Sequence, residues 1–231
     1  MLDVRDLGYS YPDGTPALAG ISLRIAAGER VAILGANGAG KSTLLLHLNG
    51  LLSGSGSVSV DGVRVAAATV AGIRQRVGFV FQDPDDQLFC SSVGEDVAFG
   101  PRQARLPEAE VRERTAEALA TMGISDLAHR HPHQLSLGQK KRAAIATALA
   151  MRPAVLVLDE PSASLDPRMR RELIAYLAAL SCTLVVASHD LALVRELCGR
   201  AVILDAGRIA ADAPTQAILA DAALLARTGL V

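Results

Sequence analysis

The chain has 231 residues, half of them apolar, and its 23 basic and 24 acidic side chains leave a formal charge of −1. That length suits one α/β domain or a domain with a small insert, and the composition can bury a sizeable core. Near-neutral charge lacks the basic excess of a non-specific nucleic-acid binder, and aromatic residues at 3% leave no base-stacking platform, so no nucleic-acid partner is expected. Cys90, Cys182 and Cys198 are odd in number and lack metal-ligand spacing, which implies free thiols in a reducing compartment. The opening Met1–Asp6 has no apolar segment of a signal peptide. The longest uncharged stretch, Leu173–Ser188, falls short of the roughly 18–20 apolar residues of a membrane span.

In chain order, alternation at Val4–Leu7 and Leu18–Ile25, either side of a Pro12-Asp13-Gly14 turn, predicts an antiparallel β region. Arg30–Leu34 reads as a buried strand, followed by Gly35-Ala36-Asn37-Gly38-Ala39-Gly40-Lys41-Ser42 and then a helix from Thr43 to Asn49. This is the G-x-x-x-x-G-K-[ST] phosphate-binding loop. Glycines let the backbone curl so that N–H groups converge on a phosphate, and the helix N-terminus adds partial positive charge. Lys41 would reach the β- and γ-phosphates and the Ser42 hydroxyl would bind Mg²⁺, so the chain is expected to bind a nucleoside triphosphate. Val58–Val60 and Val63–Val65 around Asp61-Gly62 predict a hairpin, and Val77–Gln82 a buried parallel strand.

Between Gln82 and Ser136 no strand-like run occurs. A charged amphipathic helix from Pro107 to about Met122, flanked by short helices near Val93–Phe99 and Ile124–Ala128, predicts a helical insert. Gln134–Arg142 leads into a helix running to Met151, where Ser136 and free N–H groups would form a second anion site or simply cap the helix.

Val155–Asp159 is an apolar strand ending in Asp159-Glu160. A carboxylate at that point of a phosphate-loop enzyme holds Mg²⁺, and Glu160 beyond it is placed to polarise an attacking water. Strand Leu184–Ser188 delivers His189 to the same sheet edge, within reach of a γ-phosphate, and Ala201–Leu204 is a further strand. Strands alternating with helices predict a doubly wound parallel sheet with phosphates at its C-terminal edge.

These segments resemble the ATP-binding-cassette ATPases along nearly the whole chain and in the family's order. They are the phosphate loop Gly35–Thr43, the Q-loop Gln82, the signature Leu135–Gln139, the Walker B strand Val155–Asp159 with Glu160, the D-loop Ser164-Leu165-Asp166 and the switch His189. The resemblance implies an α/β P-loop NTPase with an antiparallel β subdomain, a parallel-sheet core and a helical insert. The whole chain is one such domain, with 1–82 and 152–231 forming the β subdomain and RecA-like core and about 83–151 the helical subdomain. It implies ATP and Mg²⁺ as ligands and two copies facing head to tail, each nucleotide lying between one copy's phosphate loop and the other's signature.

By resemblance, the catalytic set is Glu160 as base with Lys41, Gln82 and His189 around the γ-phosphate. Nucleotide contacts fall to Tyr11 stacked on adenine, to Gly35, Asn37, Gly38, Gly40, Lys41, Ser42 and Thr43, and to Gln82, Ser136, Gly138, Gln139, Asp159 and Asp166, with Ser42, Gln82 and Asp159 on the metal. Two positions depart from the pattern: Leu137 stands where the signature usually has Gly, and Ser164 replaces a common Gly before the D-loop.

The run Phe81–Phe89 (Phe-Gln-Asp-Pro-Asp-Asp-Gln-Leu-Phe) and Val93–Pro101 are similar to the ATPases of energy-coupling-factor importers of cobalt, nickel or vitamins. That branch implies an integral-membrane coupling subunit docked near Asp83–Phe89, where Asp83, Asp85 and Asp86 would partner arginines. It also implies a separate membrane substrate-binding subunit and a peripheral location on the cytoplasmic face of the cell (inner) membrane. The compact C-terminus resembles dedicated importers with a homodimeric ATPase, cobalt favoured over nickel and biotin. A subunit of another transporter of this family is the alternative. A soluble nucleic-acid machine fits poorly, because only about ninety residues without sustained heptads separate loop and signature.

Overall fold

A computed structural model describes residues 2–230. Two sheets carry the fold. The first contains β1 (Leu2–Ser10), β2 (Pro16–Ile25), β4 (Ser55–Val60) and β5 (Val63–Arg64), all antiparallel, in the order β2-β1-β4-β5. The second contains β3 (Arg30–Leu34), β6 (Val77–Val80), β7 (Val155–Asp159), β8 (Thr183–Ala187), β9 (Arg200–Asp205) and β10 (Arg208–Pro214), in the order β10-β9-β3-β8-β7-β6. The strands from β9 to β6 are parallel, and β10 closes one edge antiparallel to β9. Helices α1 (Lys41–Leu48) and α2 (Val70–Arg76) lie between β3 and β6. Helices α3 (Val93–Gln103), α4 (Glu108–Thr121) and α5 (Leu137–Leu149) lie between β6 and β7. The remainder are α6 (Pro167–Ala178), α7 (Leu191–Leu197), α8 (Thr215–Ala220) and α9 (Ala222–Arg227).

The buried parallel strands divide their side chains between two cores. Along β7, Leu156 and Leu158 join the core shared with α3, α4 and α5, whereas Val155 and Val157 join the core shared with α1 and the antiparallel sheet. This period of two, with both faces covered, is why the strand reads as an unbroken apolar run. Each such side chain contributes about 1.5–3 kcal/mol by leaving water.

Several elements differ from the sequence expectation. The strand after α2 ends at Val80 rather than Gln82, because the Phe81 N–H turns away to the Gln87 side-chain oxygen (3.1 Å). The short helix expected near Ile124–Ala128 is a single 3₁₀ turn, Ser125–Leu127, and α3 runs on to Gln103 through Pro101. In β1 the alternation breaks at Asp6 (φ +47), where a bulge shifts the register against both neighbours. Strand β10 and helices α8 and α9 belong to stretches the sequence left unassigned, whereas α6 falls where a helix is expected between β7 and β8. The three cysteines are free.

The β9–β10 turn, Ala206-Gly207, supports the phosphate loop. The Gly207 N–H donates to Ala39 (3.2 Å) and its carbonyl accepts from Ala19 N–H (2.8 Å). Gly207 (φ +75) and Gly40 (φ +100) both crowd the Ala17 carbonyl, and a Cβ would fall 2.7 Å and 2.6 Å from that oxygen, respectively. Side chains are strained at these angles and the contact leaves no room for one. Gly207→Ala is therefore expected to lower unfolding stability by about 1–3 kcal/mol, seen as a reduced urea midpoint with an unchanged m-value.

Candidate functional site

Parallel pairing decides which chain segments meet. Register aligns Ile33 with Ala187 and Ala187 with Asp159, while Val80 aligns with Leu158. The residues that leave these strands, Gly35, Ser188-His189, Asp159-Glu160 and Phe81-Gln82, therefore emerge along one edge.

The loop Gly35–Gly40 passes from β3 into α1, whose N-cap Gly40 is left-handed and provides no side-chain cap. The first N–H groups of α1 thus point outward with no intrahelical acceptor, the arrangement that binds an anion. Ala36, Asn37 and Gly38 form the exposed tip of the loop, and Gly35, Gly40, Lys41 and Thr43 are buried. Lys41 folds back over the loop, with Nζ donating to Gly35 O (2.8 Å) and Ala36 O (3.2 Å) and lying 3.9 Å from Glu160 Oε1. Tyr11, 39% exposed, shares a 2.7 Å hydrogen bond between its hydroxyl and that of Thr43, with Tyr9 packed edge-on against its ring.

Asp159 is buried, and its Oδ1 has no hydrogen-bond partner. Burial pushes its carboxyl above the usual carboxylate range; the hydrogen bond from the Ser42 hydroxyl pulls down, Glu160 repels, and Lys41 and Lys141 attract. Gln82 lies with Asp159 on one cavity of about 390 Å³. A bare carboxylate oxygen, a hydroxyl and an amide oxygen form a hard, all-oxygen set that fits Mg²⁺. Among the described residues no cluster of three or more His, Cys, Asp or Glu side chains could hold a metal, so such an ion needs phosphate and water to complete its shell.

Glu160 is buried and left-handed (φ +44), with its N–H bound to Ala187 O (2.9 Å). Its Oε2 accepts from His189 Nδ1 (2.9 Å), and His189 N–H and the Ser188 hydroxyl are each 3.4 Å away. A non-glycine residue held in this conformation is a local strain that the surrounding structure must over-determine. Just downstream, Ser162 donates to Asp190 Oδ2 (3.0 Å), while Asp190 caps α7 and lies 3.4 Å from Arg170. Ser164 also takes a left-handed angle (φ +63), which accounts for the glycine usually found at that point.

The signature residues lie apart from the phosphate loop. Ser136 and Gln139 form a capping box at the start of α5, each side chain satisfying the other's backbone N–H, so Ser136 acts as a cap here. With Gly138 and the α6 cap Asp166 they line a pocket of about 300 Å³ that contains no phosphate-loop residue. Leu137, the residue in place of Gly, is 37% exposed at the first turn of α5.

Lys141 escaped the sequence reading. It is buried, and its Nζ donates to Gln82 O (3.0 Å) and Glu160 O (3.1 Å). Its signal was present, since position 141 falls on the same helical stripe as Gly138, Ile145 and Ala148, the buried face of α5. Gln87 was missed too; its amide donates to Ala144 O (2.9 Å) and to the Thr147 hydroxyl (2.7 Å).

A family model described as "ABC transporter" matches residues 18–163. The chain is 50% identical to the energy-coupling factor transporter ATP-binding protein EcfA of Methanothermobacter thermautotrophicus, over 100% of this chain and 76% of that protein. It is 48% identical to the cobalt import ATP-binding protein CbiO of Rhodobacter capsulatus, over 100% and 84%. Among solved structures, CbiO1 of Clostridium perfringens, described as part of the ABC transporter complex CbiONQ, superposes with a TM-score of 0.86 at 41% identity, covering 99% of this chain and 94% of that one. A dimeric ATP-binding cassette in a post-hydrolysis state, bound to ADP and Pi, gives 0.83 at 30% identity, covering 93% and 99%.

The raised carboxyl of Asp159 sets one expectation. A folded-state pKa above the unfolded value means the folded protein binds that proton more tightly, so at pH 7–8 the charged form weakens the fold and the effect eases as pH falls. Asp159→Asn should raise the melting temperature of the nucleotide-free protein, since it removes a buried carboxylate that burial disfavours in its charged form. The same variant should lose the thermal shift given by Mg-ATP, both measured by scanning fluorimetry.

Proposed function

The chain belongs to the ABC transporter family as an ATP-binding, ATP-hydrolysing subunit, and on that premise we propose that it powers an energy-coupling-factor importer of cobalt, with nickel as second cargo. The observation that carries this reading is the single sheet edge that gathers Lys41, Asp159, Glu160 and His189 beside an uncapped helix start, while the signature turn lines a separate pocket. Such a division leaves each phosphate loop without its signature until a second copy supplies one. The branch and the cargo rest on the relatives named EcfA and CbiO.

In this reading the N–H groups of residues 38–43 and Lys41 hold the β- and γ-phosphates, and Tyr11 stacks on adenine. Mg²⁺, when bound through Ser42, Asp159 and Gln82, would neutralise charge developing on the β- and γ-oxygens. Glu160 accepts a proton from the water that attacks the γ-phosphorus in line, and His189, now hydrogen-bonded to Glu160, turns its imidazole to the γ-phosphate. Ser136, Gly138, Gln139 and Asp166 of the second copy complete the site. We read residues 83–151 as a helical subdomain mounted on the rest.

The membrane subunit is assigned to the surface near Asp83–Phe89. Phe89 (66% exposed) and Phe99 (42% exposed) form an edge-to-face pair 5.0 Å apart. The carboxylates of Asp83 and Asp86 are exposed on the same segment. Asp85 is already paired with Lys140 (2.6 Å), so the acidic knot offers two acids to a partner rather than three. Among the described residues no helix is long and apolar enough to cross a membrane. In our reading the chain is peripheral on the cytoplasmic face, and cargo binding falls to a separate membrane subunit.

Glu160→Gln should lower ATP turnover by about 10²–10⁴-fold, the usual worth of a general base. The variant should elute as a dimer with Mg-ATP, and its assembled complex should lose cobalt uptake. Wild-type turnover, or a monomer under these conditions, would overturn the reading. Asp83→Ala and Asp86→Ala should each reduce co-purification of the membrane subunit while nucleotide binding stays unchanged, and Asp85→Ala should do so less.

A further inference from the structure

Helix α5 carries three successive basic residues with three different environments. Lys140 pairs with Asp85 at the surface and Arg142 reaches the carbonyls of Met122 and Gly123 (3.3 Å each), while Lys141 turns inward. A buried ammonium pairs with a carboxylate in most proteins, yet both hydrogen bonds from Lys141 go to neutral backbone carbonyls. Its carboxylate neighbours Asp83, Glu160 and Asp159 act at longer range, and burial holds its ammonium below the usual lysine range. Nothing in the packing of α5 requires a cation at that point, since the adjoining buried positions are Gly138, Ala144, Ile145 and Ala148.

What the two carbonyls share is their position. Gln82 O lies two residues beyond β6 and Glu160 O one residue beyond β7, and these are neighbouring parallel strands. Glu160 is also the residue forced to φ +44, so the orientation of its peptide decides where its carboxylate points. We infer that Lys141 is a positioning residue for hydrolysis, its ammonium clamping the Gln82 and Glu160 carbonyls so that the γ-phosphate sensor and the catalytic acid are held in register from the signature helix. The inference rests on the roles proposed above for Gln82 and Glu160. Because the clamp originates on α5, a turn of α5 relative to the sheet would move both groups together.

The test is a double-mutant cycle on purified full-length protein, with steady-state ATPase kinetics, binding of a fluorescent ATP analogue and thermal melting. Lys141→Met keeps the length and apolar stem and removes the donors. It should lower kcat by about 10- to 100-fold while KM and analogue affinity change less than about threefold. In a Glu160→Gln background it should lower the residual turnover by less than about threefold, because residues that act as a unit are not additive. Lys141→Arg, which retains donors, should recover part of kcat. If Lys141→Met melts too low to assay, Lys141→Arg and Lys141→Gln carry the same cycle.

An unchanged kcat in Lys141→Met, or losses that multiply in the double variant, would overturn the clamp. A Glu160→Gln enzyme with full turnover would instead overturn the base assignment, whatever Lys141 does. A parallel fall in melting temperature, analogue affinity and kcat would mark Lys141 as merely structural and count against the inference.

Discussion

Four charged side chains, each less than a tenth exposed, lie at one edge of the parallel sheet: Lys41, Lys141, Asp159 and Glu160. Burying charge is expensive unless partners are close, and here the partnering is incomplete. Lys41 uses two loop carbonyls and stands 3.9 Å from Glu160; Asp159 leaves an oxygen bare; Lys141 is bound to neutral carbonyls. The formal charges cancel, so the quartet costs less than its members would singly, but it is not satisfied within the chain. In the proposed function a polyphosphate and a divalent cation, carrying opposite charges to the same place, would supply what is missing. The fold's stability and its chemistry meet at this edge.

That edge exists because β3, β8, β7 and β6 run parallel, bringing together segments separated by more than a hundred residues. Much of it could be read from the chain. The phosphate loop is a local signal, since its glycines, lysine and hydroxyl serve one ligand within eight residues. Asp159-Glu160 and His189 were legible because a buried strand that stops at polar residues announces a sheet edge. Lys141 was not legible as a functional group, because its acceptors are backbone carbonyls beyond two other strands, and a carbonyl has no residue type to recognise. The end of β6 at Val80 was hidden for a related reason: Phe81 is apolar and β-prone, but a distant side chain, Gln87, takes its N–H.

The unassigned C-terminal part shows a different limit. Arg208–Pro214 alternates weakly, with small alanines on its half-buried face, so β10 is fixed by pairing with β9 rather than by pattern. Arg200 strengthens that pairing through a bidentate contact to Asp212 (2.6 Å to each oxygen) and a second link to Glu29 (3.0 Å). The Ala206-Gly207 turn is nevertheless consequential, because it touches Ala39 and Ala19 and so braces the loop that holds phosphate. A hairpin distant in sequence is part of the site's foundation without carrying any of its chemistry.

The segment from Gln82 to Cys90 joins the site to the outer face through short, fixed links. Its near end is held by Lys141, its middle by Gln87 on Ala144 and Thr147, and its far end by Asp96, whose carboxylate accepts from the N–H groups of Phe89 (3.0 Å) and Cys90 (2.9 Å). Two of these anchors are on α5 and one is on α3, helices that share one core with β6 and β7. A close-packed core transmits displacement rather than absorbing it. On the clamp proposed above, a shift of the exposed Phe89 would reach Gln82 as a motion of the whole segment, and through Lys141 the peptide of Glu160. On the proposed roles, mechanical coupling would need no long relay, because the proposed docking face and the proposed γ-phosphate sensor are the two ends of one braced loop.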